Sequence, residues 1–268
     1  MKQLFTLFLV VFTFSSCKNE TREEKEYESQ VTEASEKVQQ DRKSVDIEIE
    51  PISHATAIIK WGDIVIYNDP TGGAAAFEGK DSPDFVLISD IHGDHMNAET
   101  LTALNLGNTQ IIAPQAVKDQ LPQELQENIT VLNNGESKEL QGFDIEAVPM
   151  YNLPDDEESR HPKGRGNGYI LEKDEHRLYI AGDTEGIDEM KALKKIDIAL
   201  IPMNLPYTMD VEQAANAVLA FKPKQVYPYH YRGQNGLADV EKFRELVEAG
   251  NKDIEVVLLE WYPNNQTD

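Results

Sequence analysis

The sequence predicts an α/β protein, an αββα sandwich in which two mixed β-sheets are flanked by helices, and three observations carry that prediction. The domain opens on short strands with alternating apolar residues, apolar strands and helical repeats then alternate towards the C-terminus, and residues able to ligate a metal recur at the ends of those strands.

In chain order, Val45 to Ile49, Thr56 to Lys60 and Ile64 to Tyr67 read as strands, the last two joined by a hairpin turn at Trp61-Gly62-Asp63. Phe85 to Ile88, Gln110 to Ala113 and Phe143 to Val148 follow. Tyr169 to Leu171 and Arg177 to Ala181 flank a charged turn, Lys173-Asp174-Glu175-His176, where His176 is expected to be solvated. Ile196 to Ile201, Gln225 to Tyr229 and Ile254 to Leu259 complete the strands. Helical spacing is present at Ala98 to Leu104, Pro114 to Leu121, Asp188 to Leu193, Val211 to Phe221 and Leu237 to Ala249. Asp210 stands where an N-cap belongs, with Gln213 three residues on in the capping-box position.

The segment richest in chemistry is Asp90-Ile91-His92-Gly93-Asp94-His95, directly after the apolar run Phe85-Val86-Leu87-Ile88. Two imidazoles and two carboxylates in so short a stretch converge on one point only where the chain turns sharply, and Gly93 is the residue expected to permit that turn. Asp183, after Arg177 to Gly182, and His230, after Gln225 to Tyr229, place further ligand types at strand ends. Metal sites of layered α/β proteins are assembled in this way, from loops far apart in sequence.

These residues resemble those of the metallo-β-lactamase-fold hydrolases, in the branch similar to ascorbate-6-phosphate lactonase and other simple metal-dependent hydrolases. The family signature His-x-His-x-Asp-His corresponds to Asp90 through His95. Pro51-Ile52-Ser53-His54-Ala55 and Asn68-Asp69-Pro70 match the early strands, Ala181-Gly182-Asp183-Thr184 the bridging carboxylate, and Tyr227-Pro228-Tyr229-His230 the last ligand, so that the likeness runs from about Val45 to the C-terminus. It implies a second metal position of Asp94, His95, Asp183 and His230, with Asp94 also catalytic. In the first position the family's first His is replaced by Asp90, and its third falls near Asn152. Three readings follow for that position, which also contains His92. His161 comes in from the loop Arg160-His161-Pro162-Lys163-Gly164-Arg165-Gly166, or an oxygen-rich site with Asn152 favours Mn²⁺, Mg²⁺ or Fe²⁺ over the Zn²⁺ commonest in the fold, or a single ion occupies the second position. A direct metal role is a lesser expectation for His54.

The start of the chain reads as an export signal. Lys2 precedes the apolar run Leu4 to Phe14, too short to span a bilayer, and Ser15-Ser16-Cys17 resembles a bacterial lipoprotein processing site. Residues 1–16 are therefore expected to be a signal peptide, Cys17 the lipidated residue, 17–44 a polar tether and 45–268 the hydrolase domain, in the bacterial cell envelope. Cys17 is the one cysteine of the chain, which excludes an internal disulfide.

The tether holds six basic and eight acidic residues, so the formal net charge of −23 resides almost wholly in the domain. Such a surface repels polyphosphates and excludes nucleic acid as the expected partner. The expected partner is a small molecule, with membrane attachment through lipid alone. Against that background Asn152, Lys163, Arg165, Tyr207 and Arg232 are the expected substrate contacts, the cations suiting a carboxylate or phosphate; Tyr207 and Tyr229 are candidate oxyanion donors.

One or two divalent ions at this edge acidify a water to hydroxide near neutral pH. The expected function is hydrolysis, by that metal-bound hydroxide, of a small ester, lactone, amide or phosphodiester. The alternative is a non-catalytic metal- or ligand-binding lipoprotein whose first metal position has degenerated.

Overall fold

A computed structural model describes residues 47–263. The expected signal peptide, Cys17 and the tether lie outside the described residues. The first sheet has the order β1-β2-β3-β4-β5-β6: Ile47–Ser53, Thr56–Trp61, Ile64–Asn68, Phe85–Leu87, Gln110–Ala113 and Ile129–Val131. Its first three strands are antiparallel and its last four parallel. The second sheet runs β15-β12-β11-β10-β9-β8-β7, from Glu255–Val256 through Gln225–Tyr229, Ile198–Pro202, His176–Ile180, Gly166–Lys173 and Phe143–Met150 to Ser137–Leu140.

Side-chain alternation along the first sheet decides the layering. Ile59, Ile66, Phe85, Leu87 and Ile112 enter the large core shared with Phe143, Ile145, Leu171, Leu178 and Leu200 of the second sheet. The residues between them, Ile58, Tyr67, Val86 and Ile111, face a separate cluster with Leu101 of α1 (Ala98–Ala103) and Val117 of α2 (Gln115–Gln120). On the far side of the second sheet, α5 (Val211–Phe221) and α6 (Val240–Gly250) supply Ala214, Val218, Phe221, Phe243 and Val247 to the core. Two short helices, α3 (Gln123–Gln126) and α4 (Asp188–Lys191), complete the outer layers. None of the helices among the described residues is long and apolar enough to cross a membrane.

The turns follow their residues. Gly62 takes φ 61° in the two-residue loop between β2 and β3, and Asp174 and Glu175, at φ 51° and 64°, form the expected charged turn between β9 and β10. The Asp210 capping box is present as expected. The last helix starts later than its spacing suggests, because Leu237 pairs with Arg232 in the small hairpin of β13 (Arg232–Gly233) and β14 (Gly236–Leu237), while Asp239 caps the Lys242 amide. The expected Ile254 to Leu259 strand shrinks to β15. His176 opens β10, with Nδ1 4.0 Å from Asp197 and its side chain 19% exposed, so it is largely covered.

Strand direction collects the chemistry. β1 and β3 both run antiparallel to β2, and β4 is parallel to β3, so His54, Asp69 and Asp90 leave the same edge of the first sheet. β8 and β10 both run antiparallel to β9, and β11 and β12 are parallel to β10, so Asn152, Asp183, Asn204 and His230 leave one edge of the second sheet. The edges are tied together by Tyr169 of β9, whose hydroxyl donates to the Ile88 carbonyl beyond β4 at 2.8 Å.

Candidate metal centre

Beyond β4 the chain turns through Asp90 to His95 with Gly93 at a negative or extended φ and open space where a Cβ would stand, so the turn does not depend on glycine. The turn is held instead by the His95 and Met96 amides, which bond to the His92 carbonyl at 2.9 and 2.8 Å. Glycine is required at position 182: its φ is 67°, and a Cβ there would lie 2.6 Å from Met150 Sδ and 2.9 Å from the Asn167 carbonyl. His54, Asp69 and His230 also adopt left-handed backbone, at φ 48°, 44° and 46°, a conformation that costs a non-glycine residue energy and recurs at functional sites.

Asp183 is the meeting point. Its Oδ2 lies 3.3 Å from His95 Nε2 and 3.2 Å from His161 Nε2, and its Oδ1 lies 3.4 Å from His230 Nε2. His230 Nε2 is also 3.2 Å from Asp94 Oδ2 and 3.3 Å from the Asn204 amide nitrogen. On the other side, Asp90, His92 and His161 bring one ligand atom each within 4.8 Å of one another, as do His95, Asp183 and His230. His54, Asp94 and His230 form a third such group, and the His54 ring packs edge-on to His230 and Tyr262.

Each imidazole is aimed by a partner behind it. His95 Nδ1 lies 2.9 Å from Asp69 Oδ2, and Asp69, fully buried, also accepts from the Ser89 amide and hydroxyl at 2.7 Å each. That pair leaves Nε2 pointing at Asp183, as carboxylate partners do for metal-bound histidines. Sequence reasoning gave Asp69 no role; the signal available was a carboxylate at yet another strand end of the same direction. His161 is held by Asn152, whose Oδ1 lies 3.0 Å from both its backbone nitrogen and Nδ1. The Asn152 amide nitrogen is itself spent on the Tyr207 carbonyl at 2.8 Å and Glu185 Oε1 at 3.3 Å.

Several expected substrate contacts therefore have other occupations. Asn152 is buried and bonded throughout, so it orients His161 and does not meet substrate. Arg165 donates Nε and Nη2 to the two oxygens of Asp90 at 3.1 and 3.0 Å. Lys163 pairs with Glu189 at 2.6 Å and lies over the Tyr151 ring, away from the cavity. Tyr229 is fully buried in the core, where its hydroxyl accepts from the Gly182 amide at 3.0 Å, and it does not line the cavity, so it is out of reach as an oxyanion donor. Tyr207 and Arg232 do border a cavity of about 460 Å³ that also reaches Asp94, Asp183, Asn204 and His230.

The electrostatics suit a cation. Burial opposes charge on Asp183, yet the His230 and His95 rings beside it hold its carboxyl well below the usual range. Asp94 and Asp90 are likewise lowered against burial, Asp94 by His230 and His95, Asp90 by His92, His95 and Arg165. Burial works against a His95 cation, but Asp183 and Asp69 raise its pKa well above the ordinary imidazole value. The Nε2 atoms of His95 and His161 and Oδ1 of Asp183 are buried without a hydrogen-bond partner, a costly arrangement unless a shared cation satisfies them.

A family model described as Beta-lactamase superfamily domain matches residues 48–230. A UPF0173 metal-dependent hydrolase of Pyrococcus horikoshii is 31% identical over 223 residues, covering 80% of this chain and 96% of the relative. The crystal structure of a Parabacteroides distasonis protein assigned as a metal-dependent hydrolase is 36% identical, with TM-score 0.71 over 81% of this chain and 94% of that one. Igni18, a metallo hydrolase of Ignicoccus hospitalis, shares the fold at 23% identity and TM-score 0.67, covering 80% and 94% of the two chains.

Proposed function

The chain belongs to the metallo-β-lactamase superfamily and is a metal-dependent hydrolase, and from that premise we propose that it holds two divalent ions sharing Asp183 and cleaves a small ester, lactone, amide or phosphodiester. The observation that carries the proposal is the approach of two unpartnered, buried imidazole nitrogens, on His95 and His161, to the same oxygen of Asp183. Asp90, His92 and His161 would hold one ion and Asp94, His95 and His230 the other. With Asp183 shared, each position then offers two imidazoles and two carboxylates, a set that suits Zn²⁺, Fe²⁺ or Mn²⁺ better than Mg²⁺ or Ca²⁺.

Such ions supply the acidity that brings a bound water to a pKa of about 7 and the polarisation of a carbonyl or phosphoryl oxygen. The chain's own residues do the rest. Asp94, at the cavity wall with 37% of its side chain exposed, accepts a hydrogen bond from the attacking water and passes its proton towards the leaving group. Asp69 and Asn152 keep Nε2 of their histidines turned inward. Tyr207, bordering the cavity, offers its phenol to a developing oxyanion.

Elemental analysis of protein purified without chelator tests this directly: two equivalents of zinc, iron or manganese per chain are expected, falling to one in His161→Ala. Failure to bind metal even after reconstitution would sink the proposal. A single ion held by Asp94, His95, Asp183 and His230 is the second reading, favoured by the engagement of both Asp90 oxygens by Arg165; one equivalent, unaltered by His161→Ala, would select it. The proposal also includes export and lipidation at Cys17, supported by the residues around it. Loss of palmitate labelling in Cys17→Ser is the expected result, and equal labelling of both proteins would refute it.

A further inference from the structure

Of the five arginines among the described residues, Arg165, Arg177 and Arg244 have carboxylate partners. The other two, Arg160 and Arg232, have no ion pair within the described residues, and both line the cavity that reaches Asp94 and Asp183. Each lies over an aromatic ring: the Arg160 guanidinium is 4.5 Å from the Tyr207 ring centre, and that of Arg232 is 4.6 Å from the Tyr262 ring centre. Stacking of this kind supports a planar cation while leaving its edge N–H donors free, and Arg232 Nε is buried without a hydrogen-bond partner. In a chain of net charge −23, Arg160 is exposed and solvated at the cavity mouth while Arg232 is half-buried, so the buried Arg232 Nε is the donor left without a partner and both guanidiniums remain available to a ligand in the cavity.

The loops carrying these side chains are locked together. The Gln234 amide bonds to the Leu205 carbonyl at 2.9 Å, and a Cβ on Gly233 would stand 2.1 Å from that same oxygen, so the β13–β14 hairpin packs backbone to backbone against the Asn204–Thr208 loop. Arg232 rides on the first of these loops and Tyr207, under Arg160, on the second. The charge count of the wall points the same way. Asp94 and Asp183 cancel Arg160 and Arg232, so even one divalent ion leaves the cavity doubly positive.

We propose that Arg160 and Arg232 form an oxyanion-binding subsite beside the metal centre, and that the substrate is a small anionic molecule whose carboxylate or phosphoryl group is held there while a neighbouring bond is cleaved. The substrate class deepens the hydrolase reading and rests on it; the anion site itself does not. Arginine is suited to this because its fork donates two parallel bonds to either group. The cavity volume of about 460 Å³ is of the size that takes a small molecule.

The test uses the metal-loaded protein and two probes, inorganic phosphate and succinate, titrated by calorimetry into wild type, Arg160→Gln, Arg232→Gln and the two Lys variants, with metal content measured in each. Wild type should bind at least one probe, the Gln variants should bind it at least 10-fold more weakly at unchanged metal content, and the Lys variants should fall between. Preference for succinate or phosphate distinguishes a carboxylate from a phosphoryl group. Equal affinity in wild type and both Gln variants, or binding of neither probe by wild type, would overturn the subsite.

Turnover separates the two readings. On 4-nitrophenyl acetate and the mono-4-nitrophenyl ester of succinate, wild type should favour the anionic ester at least 10-fold in kcat/KM, and the Gln variants should lose that preference. No turnover of either ester, with arginine-dependent probe binding intact, would count against the hydrolase substrate and leave the anion site standing.

Discussion

The side-chain oxygen of Asn152 accepts two hydrogen bonds from His161, one from the backbone N–H and one from Nδ1, each at 3.0 Å. A loop histidine is thereby fixed in one ring orientation, with Nε2 3.2 Å from Asp183. The amide at the position where the resemblance places a histidine has become the support of a histidine supplied from elsewhere.

Asn152→Ala should therefore release His161 and lower metal occupancy at the first position, with a loss of activity of about 10- to 100-fold, the usual cost of removing a partner behind a metal ligand. Asn152→Asp retains the acceptor and should keep more metal than the Ala variant. Metal per chain measured across the pair is the check; equal stoichiometry in both and in wild type would refute the positioning role.

Asp69→Asn should weaken metal binding at the second position by about 10- to 100-fold, because the carboxylate behind His95 Nδ1 loses its charge. Asp69→Ala should in addition cost on the order of 1–3 kcal/mol of stability, since the buried Ser89 amide and hydroxyl lose their acceptor. Competition against a metal-sensitive dye and urea unfolding of metal-free protein separate the two effects.

The metal-free protein should change stability with pH on both sides of neutrality. The raised pKa of His95 gives a contribution fully present below about pH 6.5, its unfolded value, and lost as pH rises through the folded one. The lowered carboxyls of Asp90 and Asp183 contribute above about pH 3.9 and lose that contribution as pH falls through their folded values. Metal must displace the proton of His95, so the gap in Tm between metal-loaded and metal-free protein should widen from pH 5.5 to 8.5. A gap that narrows over that range would contradict the assignment of His95 as a ligand.

Lys163→Ala should leave KM within about twofold of wild type. The lysine is engaged by Glu189 and stacked on Tyr151, with 42% of its side chain exposed, so solvent screens the pair and its loss should leave stability nearly unchanged and reach the site only weakly. Steady-state kinetics and a denaturant midpoint suffice; a KM raised 10-fold or more would return Lys163 to the substrate.

The two-sheet architecture was legible because burial imposes period on the chain. Phe85 and Leu87 face one core and Val86 and Ile88 the other, and each sheet edge ends in residues that solvent-exposed strands have no need of, Asp69, Asp90, Asp183 and His230 among them. Short or polar pieces carried no such imprint. Ser137–Leu140 is largely exposed, and the two-residue strands of the Arg232–Leu237 hairpin are too brief to show a pattern.

The sequence by itself determined the sandwich and the clustering of ligand types at strand ends, since both are properties of local spacing and strand direction. Only the tertiary structure decided what each polar side chain does. Arg165 and Lys163 stand two residues apart, yet one is bound to Asp90, 75 positions earlier, and the other to Glu189. Arg160, five residues before Arg165, is left facing the cavity. Which cation is neutralised and which stays available depends on which carboxylate the fold brings within about 3 Å, and no spacing along the chain encodes that distance.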